Sequence, residues 1–451
     1  MKNSFRTALL LLLCYGGQTF GQDALDGYVE LGLKNNQEYI REQLRTQRSA
    51  QELKEARSFY LPDISAGSQY LISGGGRTIG FPAGDMLNPV HTALNSLSGS
   101  DIFPTDVENE KVQLLPNDFH DTRIRLIQPL LNTSIYYGYK ARSAQVSMQE
   151  AKEQAFRNSL VYRIKKAYYE HASLVEQRQI LSNVRPVLVE QVDLNRKLVK
   201  NGMATADAVY NAEVELHKLD AQIARVKKGV NTSRIFFNIL LNRNLEETVE
   251  VDLSSAPMIA NNASLDASQE LALDRRAEIT QVEEGIRATE YQVKKDKTYL
   301  VPELSLMADA GYQGFGYKFD SDQDYYTVAF SLTIPIFQGG RNKAKIKKSV
   351  LAKEELESEL IDLRNKIRLE VAQAHYELEE AMEIHQARMA EMTSAKENFK
   401  IISMRYREDQ VLPVAYNESR ANLTNAELQE SVARYGIKIA EANFRRAVKA
   451  Q

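Results

Sequence analysis

The sequence predicts a mainly α-helical fold in which short amphipathic strands lead into very long helices. Apolar and polar residues alternate over residues 325–334, which is the pattern of a strand with one apolar face. After Gln338, Gly339 and Gly340 the period changes to steps of three and four residues, typical of a coiled-coil seam. A helix continuing to about residue 407 would rise roughly 100 Å at about 1.5 Å per residue. The seam positions are Leu356, Leu360, Leu363, Ile367, Ala374, Leu378 and Ala381.

The same pattern occurs twice, because residues in the first half of the chain have counterparts in the second half. The matched pairs are Pro129 and Pro335, Tyr169 and Tyr376, Phe237 and Phe444, and Tyr39 and Ile279. Two copies are too few for a stacked solenoid, so the duplication indicates rotational pseudo-symmetry. We expect a first repeat at 22–241, a linker at 242–264 and a second repeat at 265–451.

The N-terminus has the features of a secretory signal peptide at residues 1–21. Lys2 and Arg6 precede an apolar run, and a small residue, Gly21, stands before the expected cleavage point. Cys14 leaves a lipoprotein signal open as an alternative, although Leu13 stands where such signals have a small residue. The chain has 451 residues and a net charge of −3. This near-neutral charge and the absence of a basic stripe exclude nucleic acid as an expected partner.

Each repeat should contain a helix, two strands separated by a loop, and a long helical hairpin. In chain order, we expect helix 23–61, strand 63–72, a long loop 73–118 with a helical turn or two near 89–97, strand 121–129, helices 134–200 and 205–241, helix 264–300, strands 303–312 and 325–337, and a final hairpin whose second helix spans 408–448. Pro186 should kink its helix or mark an irregularity. The strand-to-helix exits fall at Pro129, Pro335, Gly339 and Gly340.

Four strands of about ten residues have the length that crosses a bilayer when tilted. In lipid an open sheet edge leaves backbone groups without partners, so the sheet has to close. Known membrane barrels begin at eight strands, and an eight-stranded barrel is filled by its own side chains. Three copies would supply twelve strands and an open passage. The prediction is a homotrimer in outer-membrane lipid, with a 12-stranded β-barrel continued by a coiled-coil α-helical barrel.

These features together resemble the TolC-like outer-membrane efflux channels over essentially the whole mature chain. The resemblance rests on the duplicated proline ahead of a strand, the exit at 335–340, and two hairpin tips. The first tip comprises Asn201, Gly202, Met203, Ala204 and Thr205; the second contains Met404, Arg405 and Tyr406. The family implies an exit duct in the outer membrane of a Gram-negative bacterium, with a long periplasmic extension. It also implies a periplasmic adaptor (membrane fusion) protein, docking at the hairpin tips, and an inner-membrane pump of the RND, ABC or MFS type.

The resemblance further implies an acidic periplasmic gate just after the second hairpin tip. Arg405 and Tyr406 match the family pattern, but Asp409 replaces a glycine and Ala415 occupies the first acidic position. Glu418 stands at the second acidic position. In the first repeat Ala208 replaces the acid, with Asp207 one residue earlier. The candidate gate residues are therefore Tyr406, Arg405, Asp409, Glu418 and Asp207, with the acids expected in the first turns of helices that start at 203 and 408.

Two other classes of protein fit the sequence less well. A coiled-coil scaffold of the cell envelope would explain the long helices but not four alternating strands repeated in pairs. An enzyme would need a site, and His171, His375 and His385 lack metal-ligand spacing. We therefore expect no catalytic residue, no metal and no cofactor.

Overall fold

The computed structural model describes residues 20–252, 264–408 and 410–448. Its elements are α1 (Phe20–Asn35), α2 (Gln37–Ser58), β1 (Asp63–Leu71), β2 (Thr78–Phe81), α3 (Ala83–Ser98), β3 (Glu110–Gln113), β4 (Phe119–Leu131), α4 (Thr133–Lys200), α5 (Ala206–Leu240), α6 (Leu265–Arg275), α7 (Ala277–Lys297), β5 (Glu303–Phe315), β6 (Asp324–Thr333), α8 (Arg341–Arg407) and α9 (Pro413–Val448). The expected signal-peptide features at residues 2–14, Cys14 among them, and most of the linker (253–263) lie outside the described residues.

The chain divides into two compact units, which we call the sheet unit and the helix unit. The sheet unit comprises residues 51–143 and 288–352. The helix unit comprises the described parts of residues 1–50, 144–287 and 353–451. No described helix contains an apolar stretch long enough to span a bilayer.

The sheet unit contains an antiparallel four-stranded sheet in the order β1-β4-β5-β6. Paired residues share a face, so the register places the apolar residues of all four strands together, as the alternation predicts. Large side chains on this face are exposed: Tyr326 is 82% and Phe330 is 69% accessible. Other exposed members are Ile64, Tyr70, Ile124, Val328 and Leu332. β1 and β6 are the edges, and each pairs with one strand only.

The opposite face of the sheet is charged and hydrogen-bonded. Arg125 donates from Nε and Nη2 to the two carboxylate oxygens of Asp309, both at 2.8 Å. Asp309 is only 7% exposed, so this bidentate pair holds β4 to β5 through side chains as well as backbone. Asp121 pairs with Arg123 and accepts a 3.0 Å hydrogen bond from the Tyr325 hydroxyl. One face of the sheet is therefore apolar and the other ionic.

The loop between β1 and β4 is more ordered than the sequence predicts. It holds a two-stranded sheet of β2 and β3 and a 16-residue helix, α3, where only a turn or two was expected. The amide of Asn88 exchanges two 2.9 Å hydrogen bonds with the backbone of Val107. Asn95 does the same with Phe103, at 2.7 and 3.0 Å. These amides fix a returning segment alongside α3, and such contacts leave no periodic signal in the sequence.

The helix unit contains two apolar cores that correspond across the repeat. Phe237 and Tyr39 belong to one core, with Leu160, Ile164 and Leu241. Phe444 and Ile279, their matched residues, belong to the other, with Ile367, Val371 and Leu378. The predicted coiled-coil seam is buried at Ile367, Ala374 and Leu378. Its other members are partly buried: Leu356, Leu360, Leu363 and Ala381. α4 continues without a break through Pro186.

The leading helix of each repeat is broken, which corrects the prediction of single helices at 23–61 and 264–300. Asn36 separates α1 from α2, and its Oδ1 accepts the Glu38 and Tyr39 backbone N–H groups, both at 3.0 Å. Its Nδ2 donates to the Leu240 carbonyl at 2.9 Å. Arg276 separates α6 from α7 and pairs with Glu278 and Glu370 at 2.6 and 2.7 Å. A buried polar residue terminates the helix at each break.

His171 generates a prediction about acid stability. It is 3% exposed between α4 and α5, with Nδ1 2.8 Å from the Ser233 hydroxyl. Burial lowers the pKa of His171 to about 4, and the positive charges of Arg234 and Arg178 contribute smaller effects in the same direction. In the unfolded chain this histidine becomes protonated near pH 6.5, whereas in the folded chain it becomes protonated only near pH 4. Between these pH values the unfolded state binds more protons, so the free energy of unfolding falls as the pH falls. We expect a loss of about 2 kcal/mol from this residue.

Guanidinium unfolding of the wild type and of His171→Gln, followed by helical circular dichroism at pH 7.5 and 4.5, checks this. The variant should lose less stability on acidification than the wild type. Other titrating groups are common to both proteins and cancel in the difference. Equal losses would contradict the assignment.

Candidate functional site

The first candidate region is the turn between α4 and α5. The Gly202 N–H donates to the Val199 carbonyl at 3.0 Å, and the Met203 N–H donates to the Leu198 carbonyl at 2.8 Å. With Gly202 at φ +72°, these bonds form the Schellman motif that ends a helix. Met203 is 74% exposed. Residues 201–205, predicted to dock an adaptor, therefore form a tight and accessible turn.

Asp207 lies in the first turn of α5 and is exposed. The next residue, Ala208, occupies the position of the family's acid, and its carbonyl accepts a 3.0 Å hydrogen bond from the Asn195 side chain. Asn195 is 7% exposed. Sequence reasoning missed this residue, whose position within a long polar helix does not distinguish it from its neighbours.

The second turn joins α8 to α9. Arg405 is exposed, and Tyr406 stacks on Tyr416 with ring centroids 4.5 Å apart and planes 20° apart. Phe399 lies 5.6 Å from Tyr416, so three aromatic rings from α8 and α9 form one cluster. Asp409 lies outside the described residues.

Glu418 is not in the first turn of its helix, contrary to the sequence prediction. α9 begins at Pro413 rather than at 408, and its first turn contains no acidic residue. Proline is favoured at the first helical position because its missing N–H has no partner there and its φ is already helical. Glu418 therefore lies in the second turn, where it is exposed. The helix dipole stabilises its negative charge less than that of Asp207, because the effect falls off beyond the first turn.

The two hairpins, α4–α5 and α8–α9, are joined by polar contacts. The Gln191 side chain on α4 donates to Asn417 Oδ1 on α9 at 2.9 Å. Arg434 on α9 pairs with Glu176 on α4 and lies 3.3 Å from Glu430, which also pairs with His385 on α8. Burial disfavours the charged form of Arg434, but Glu176 and Glu430 outweigh it and raise its pKa. The ion pair therefore remains intact at neutral pH.

A groove of about 810 Å³ lies between the two hairpins. α4 contributes residues from Glu176 to Leu194, α8 residues from Met392 to Arg407, and α9 residues from Tyr416 to Glu430. The aromatic cluster and Arg420 line it. Of the candidate gate residues, the groove includes Tyr406; Arg405, Asp207 and Glu418 are not part of its lining.

The strand-to-helix exits differ between the repeats. Pro129 lies inside β4, beside an irregularity in the register between residues 129 and 131, a position that suits a residue without an N–H. The exit itself falls at Asn132, whose Oδ1 caps α4 by accepting the Ser134 N–H at 2.9 Å. Pro335 lies beyond β6. There Gly339 and Gly340 turn the chain at φ +57° and +81°, a region that favours glycine.

Metal binding finds no support in the part of the chain that the structure describes. No three His, Cys, Asp or Glu side chains there are grouped as ligands.

Part of the chain is similar in sequence to known proteins. The sequence pattern of the family described as Outer membrane efflux protein matches residues 268–448. The protease secretion protein PrtF of Dickeya chrysanthemi is 20% identical over 248 residues, covering 54% of each chain. The multidrug resistance outer membrane protein MdtP of Shigella flexneri is 22% identical over 190 residues, covering 42% of this chain and 39% of MdtP. The chain thus spans about half, or less, of the curated relatives it matches.

Solved structures match over almost the whole length. The outer-membrane channel OprN has a TM-score of 0.76 at 16% identity, covering 95% of this chain and 90% of OprN. The open state of the Neisseria gonorrhoeae channel MtrE has a TM-score of 0.75 at 18% identity, covering 94% of this chain and 88% of MtrE. Campylobacter jejuni CmeC has a TM-score of 0.74 at 17% identity, covering 94% and 85%. The fold that the resemblance implies for a single chain is confirmed.

Asn195 generates a prediction about the first turn. Asn195→Leu should leave the Ala208 carbonyl without its side-chain partner and destabilise the start of α5 by about 1–2 kcal/mol. Hydrogen–deuterium exchange of residues 205–212 should become faster than in the wild type. Arg196→Leu is the matched control, because the adjacent pair of Arg196 with Glu213 is partly exposed and contributes less. If both variants exchange alike, Asn195 does not hold the turn.

Proposed function

We propose that the protein is an outer-membrane exit duct. The proposal starts from its fold, which is that of TolC-like outer-membrane channels, and from the match of residues 268–448 to the Outer membrane efflux protein family. It passively conducts small molecules or secreted protein from an inner-membrane pump and its adaptor across the periplasm and the outer membrane. The observation that carries this is the sheet, whose exposed apolar face suits lipid and whose ionic face suits a water-filled lumen. The proposed activity includes no catalytic step.

Efflux and type I secretion are both compatible with the relatives. One is named for protease secretion and another for multidrug resistance. The partners we propose are a periplasmic adaptor that docks on residues 201–205, and an RND, ABC or MFS pump. Cargo selection then belongs mostly to the pump, because a duct needs no selective pocket.

The assembly we propose is a homotrimer. In lipid the edges β1 and β6 leave backbone N–H and C=O groups without partners, which would be very unfavourable. Pairing β6 of one subunit with β1 of the next, three times, closes a sheet of four strands per chain into a 12-stranded barrel. The helical hairpins of the three subunits would then surround a common axis as the α-helical barrel.

Cysteine cross-linking tests the trimer. Within one subunit β4 and β5 separate β1 from β6, so the edge strands lie about 14 Å apart at about 4.8 Å per strand, beyond the reach of a disulfide. Variants with cysteine at Ser65 in β1 and at Thr327, Ser331 or Thr333 in β6, in a background without Cys14, should therefore cross-link only between subunits. At least one pair should give a ladder ending at a covalent trimer on non-reducing gels.

Single-cysteine variants are the controls and should give no band beyond a dimer. A monodisperse monomer by light scattering, with no ladder from any pair, would contradict the trimer.

The gate we propose is a ring of carboxylates near the hairpin turns. Asp207 and Glu418 are exposed, and threefold repetition of each would give rings of like charge that attract cations. Asp409 is a third candidate for the same role. Arg405 and Tyr406 would contribute hydrogen bonds between neighbouring helices at the same mouth.

Planar-bilayer recording tests both the duct and its gate. The wild type should form ion-conducting channels that prefer cations, whereas a cell-envelope scaffold would conduct nothing. The double variant Asp207→Ala with Glu418→Ala should lower the cation-to-anion permeability ratio at least twofold and weaken block by divalent cations added from the periplasmic side. Glu391→Ala with Glu397→Ala is the matched control, removing two exposed acids of α8 away from the turns. An unchanged ratio in the first double variant would place the constriction elsewhere.

A further inference from the structure

Arg420 on α9 is a buried cation that forms no salt bridge with any of the residues described by the structure. Its side chain is 6% exposed, and neither Nε nor Nη1 has a hydrogen-bond partner. Arginine remains protonated in proteins, so it retains its charge in this position. A buried, uncompensated charge is strongly unfavourable, and most buried polar groups have partners. Binding of an anion to this guanidinium would therefore be favourable.

The carboxylate that favours the charged form of Arg420 is Glu215 on α5. Among the described residues it forms no salt bridge with Arg420, and its Oε1 accepts a 2.8 Å hydrogen bond from Lys218. Burial outweighs the effects of Tyr416 and Glu215 and lowers the pKa of Arg420. Gln191, on the facing helix, is likewise incompletely satisfied, because its Oε1 is buried without a partner.

The groove that Arg420 lines has the size and the walls of a small-molecule site. Its volume of about 810 Å³ falls within the roughly 300–1,000 Å³ usual for ligand pockets. The aromatic cluster of Phe399, Tyr406 and Tyr416 lines it beside Arg420. Aliphatic side chains complete the apolar wall: Ile180, Val184, Val187, Leu194 and Leu423.

The carboxylates in the groove do not prevent an anion from binding near Arg420. Glu176 and Glu430 are paired with Arg434. Burial raises the pKa of Glu427, against the effect of Lys396. Glu427 also lies seven residues from Arg420 along α9, about 10 Å at 1.5 Å per residue. The fourth carboxylate of the lining, Glu190, is exposed. In the part of the chain that the structure describes, none of the four forms a salt bridge with Arg420.

We propose that this groove binds a small organic anion, with the carboxylate of the ligand paired to Arg420 and its apolar body packed against Phe399, Tyr406 and Tyr416. The arginine supplies the charge complement and the bidentate geometry that a carboxylate prefers. The aromatic rings select for an apolar body rather than for an inorganic ion. The site goes beyond the proposed conduction, since binding to it requires no transport.

Isothermal titration of the purified full-length protein in detergent tests the site with three probes: 4-phenylbutyrate, its uncharged amide 4-phenylbutyramide, and inorganic phosphate. We expect saturable binding of 4-phenylbutyrate, at least tenfold tighter than binding of the amide or of phosphate. Equal affinity for the acid and the amide, or no binding of the acid, would overturn the proposal. Phosphate binding as tightly as the acid would overturn the role of the aromatic wall.

Variants locate the anion. Arg420→Gln should weaken 4-phenylbutyrate binding at least tenfold and leave the amide unchanged. Arg420→Lys, which keeps the charge but loses the bidentate geometry, should weaken it less. Arg407→Gln is the matched control, since Arg407 lines the same groove but is exposed, and it should change the affinity less than twofold.

The reverse pattern, loss with Arg407→Gln and retention with Arg420→Gln, would overturn the assignment to Arg420. Circular dichroism and gel mobility confirm that each variant is folded. If Arg420→Gln fails to fold, Arg420→Lys and the three wild-type titrations still decide the proposal.

Discussion

Backbone hydrogen bonding at the edges of the sheet is the constraint on which the proposed assembly depends. Four strands leave two edges, and the apolar face of the same sheet is exposed. In water an exposed edge is tolerated, but in a bilayer each unpaired N–H or C=O group is expensive. The exposed apolar face is suited to lipid, whereas the two open edges make a single chain unfavourable there. The trimer that we propose would satisfy both requirements.

The repeat preserves apolar packing more closely than polar detail. Phe237 and Phe444 occupy corresponding places in two separate cores, although their surroundings differ in sequence. The helix breaks at Asn36 and Arg276 are also equivalent, yet one is satisfied by backbone groups and the other by two carboxylates. A core tolerates substitution when volume is kept, whereas a buried polar group needs its own partners. The two breaks therefore use different buried residues with different hydrogen-bond partners.

The features that were predictable from sequence are those with a local period. Alternation placed Tyr326 and Phe330 on the apolar face, and steps of three and four placed Ile367 in a core. The length of α3 was missed because the side chains that fix it, Asn88 and Asn95, bond to backbone brought back by the loop.

The groove was missed for a related reason. Arg420 and Gln191 belong to polar stretches of different helices, and only tertiary packing brings them to one groove. The position of Glu418 was misjudged more simply, because the start of α9 was placed before Pro413, which is a favourable first residue for a helix. The periodicity of a sequence gives little information about long-range contacts. It also gives little information about where a helix begins in a polar stretch.

Neutral amides make hydrogen bonds in the hairpins where the resemblance implies acids nearby. The resemblance puts acids at the positions of Ala208 and Ala415, while the Asn195 side chain donates to the Ala208 carbonyl and the Gln191 side chain donates to Asn417. Amide hydrogen bonds do not titrate near neutral pH, and salt screens them less than it screens exposed ion pairs. These two contacts are therefore insensitive to pH near neutrality and little affected by ionic strength. Asp207 and Glu418 are exposed and take no part in these two bonds, so the substitutions that test the proposed gate leave both bonds in place.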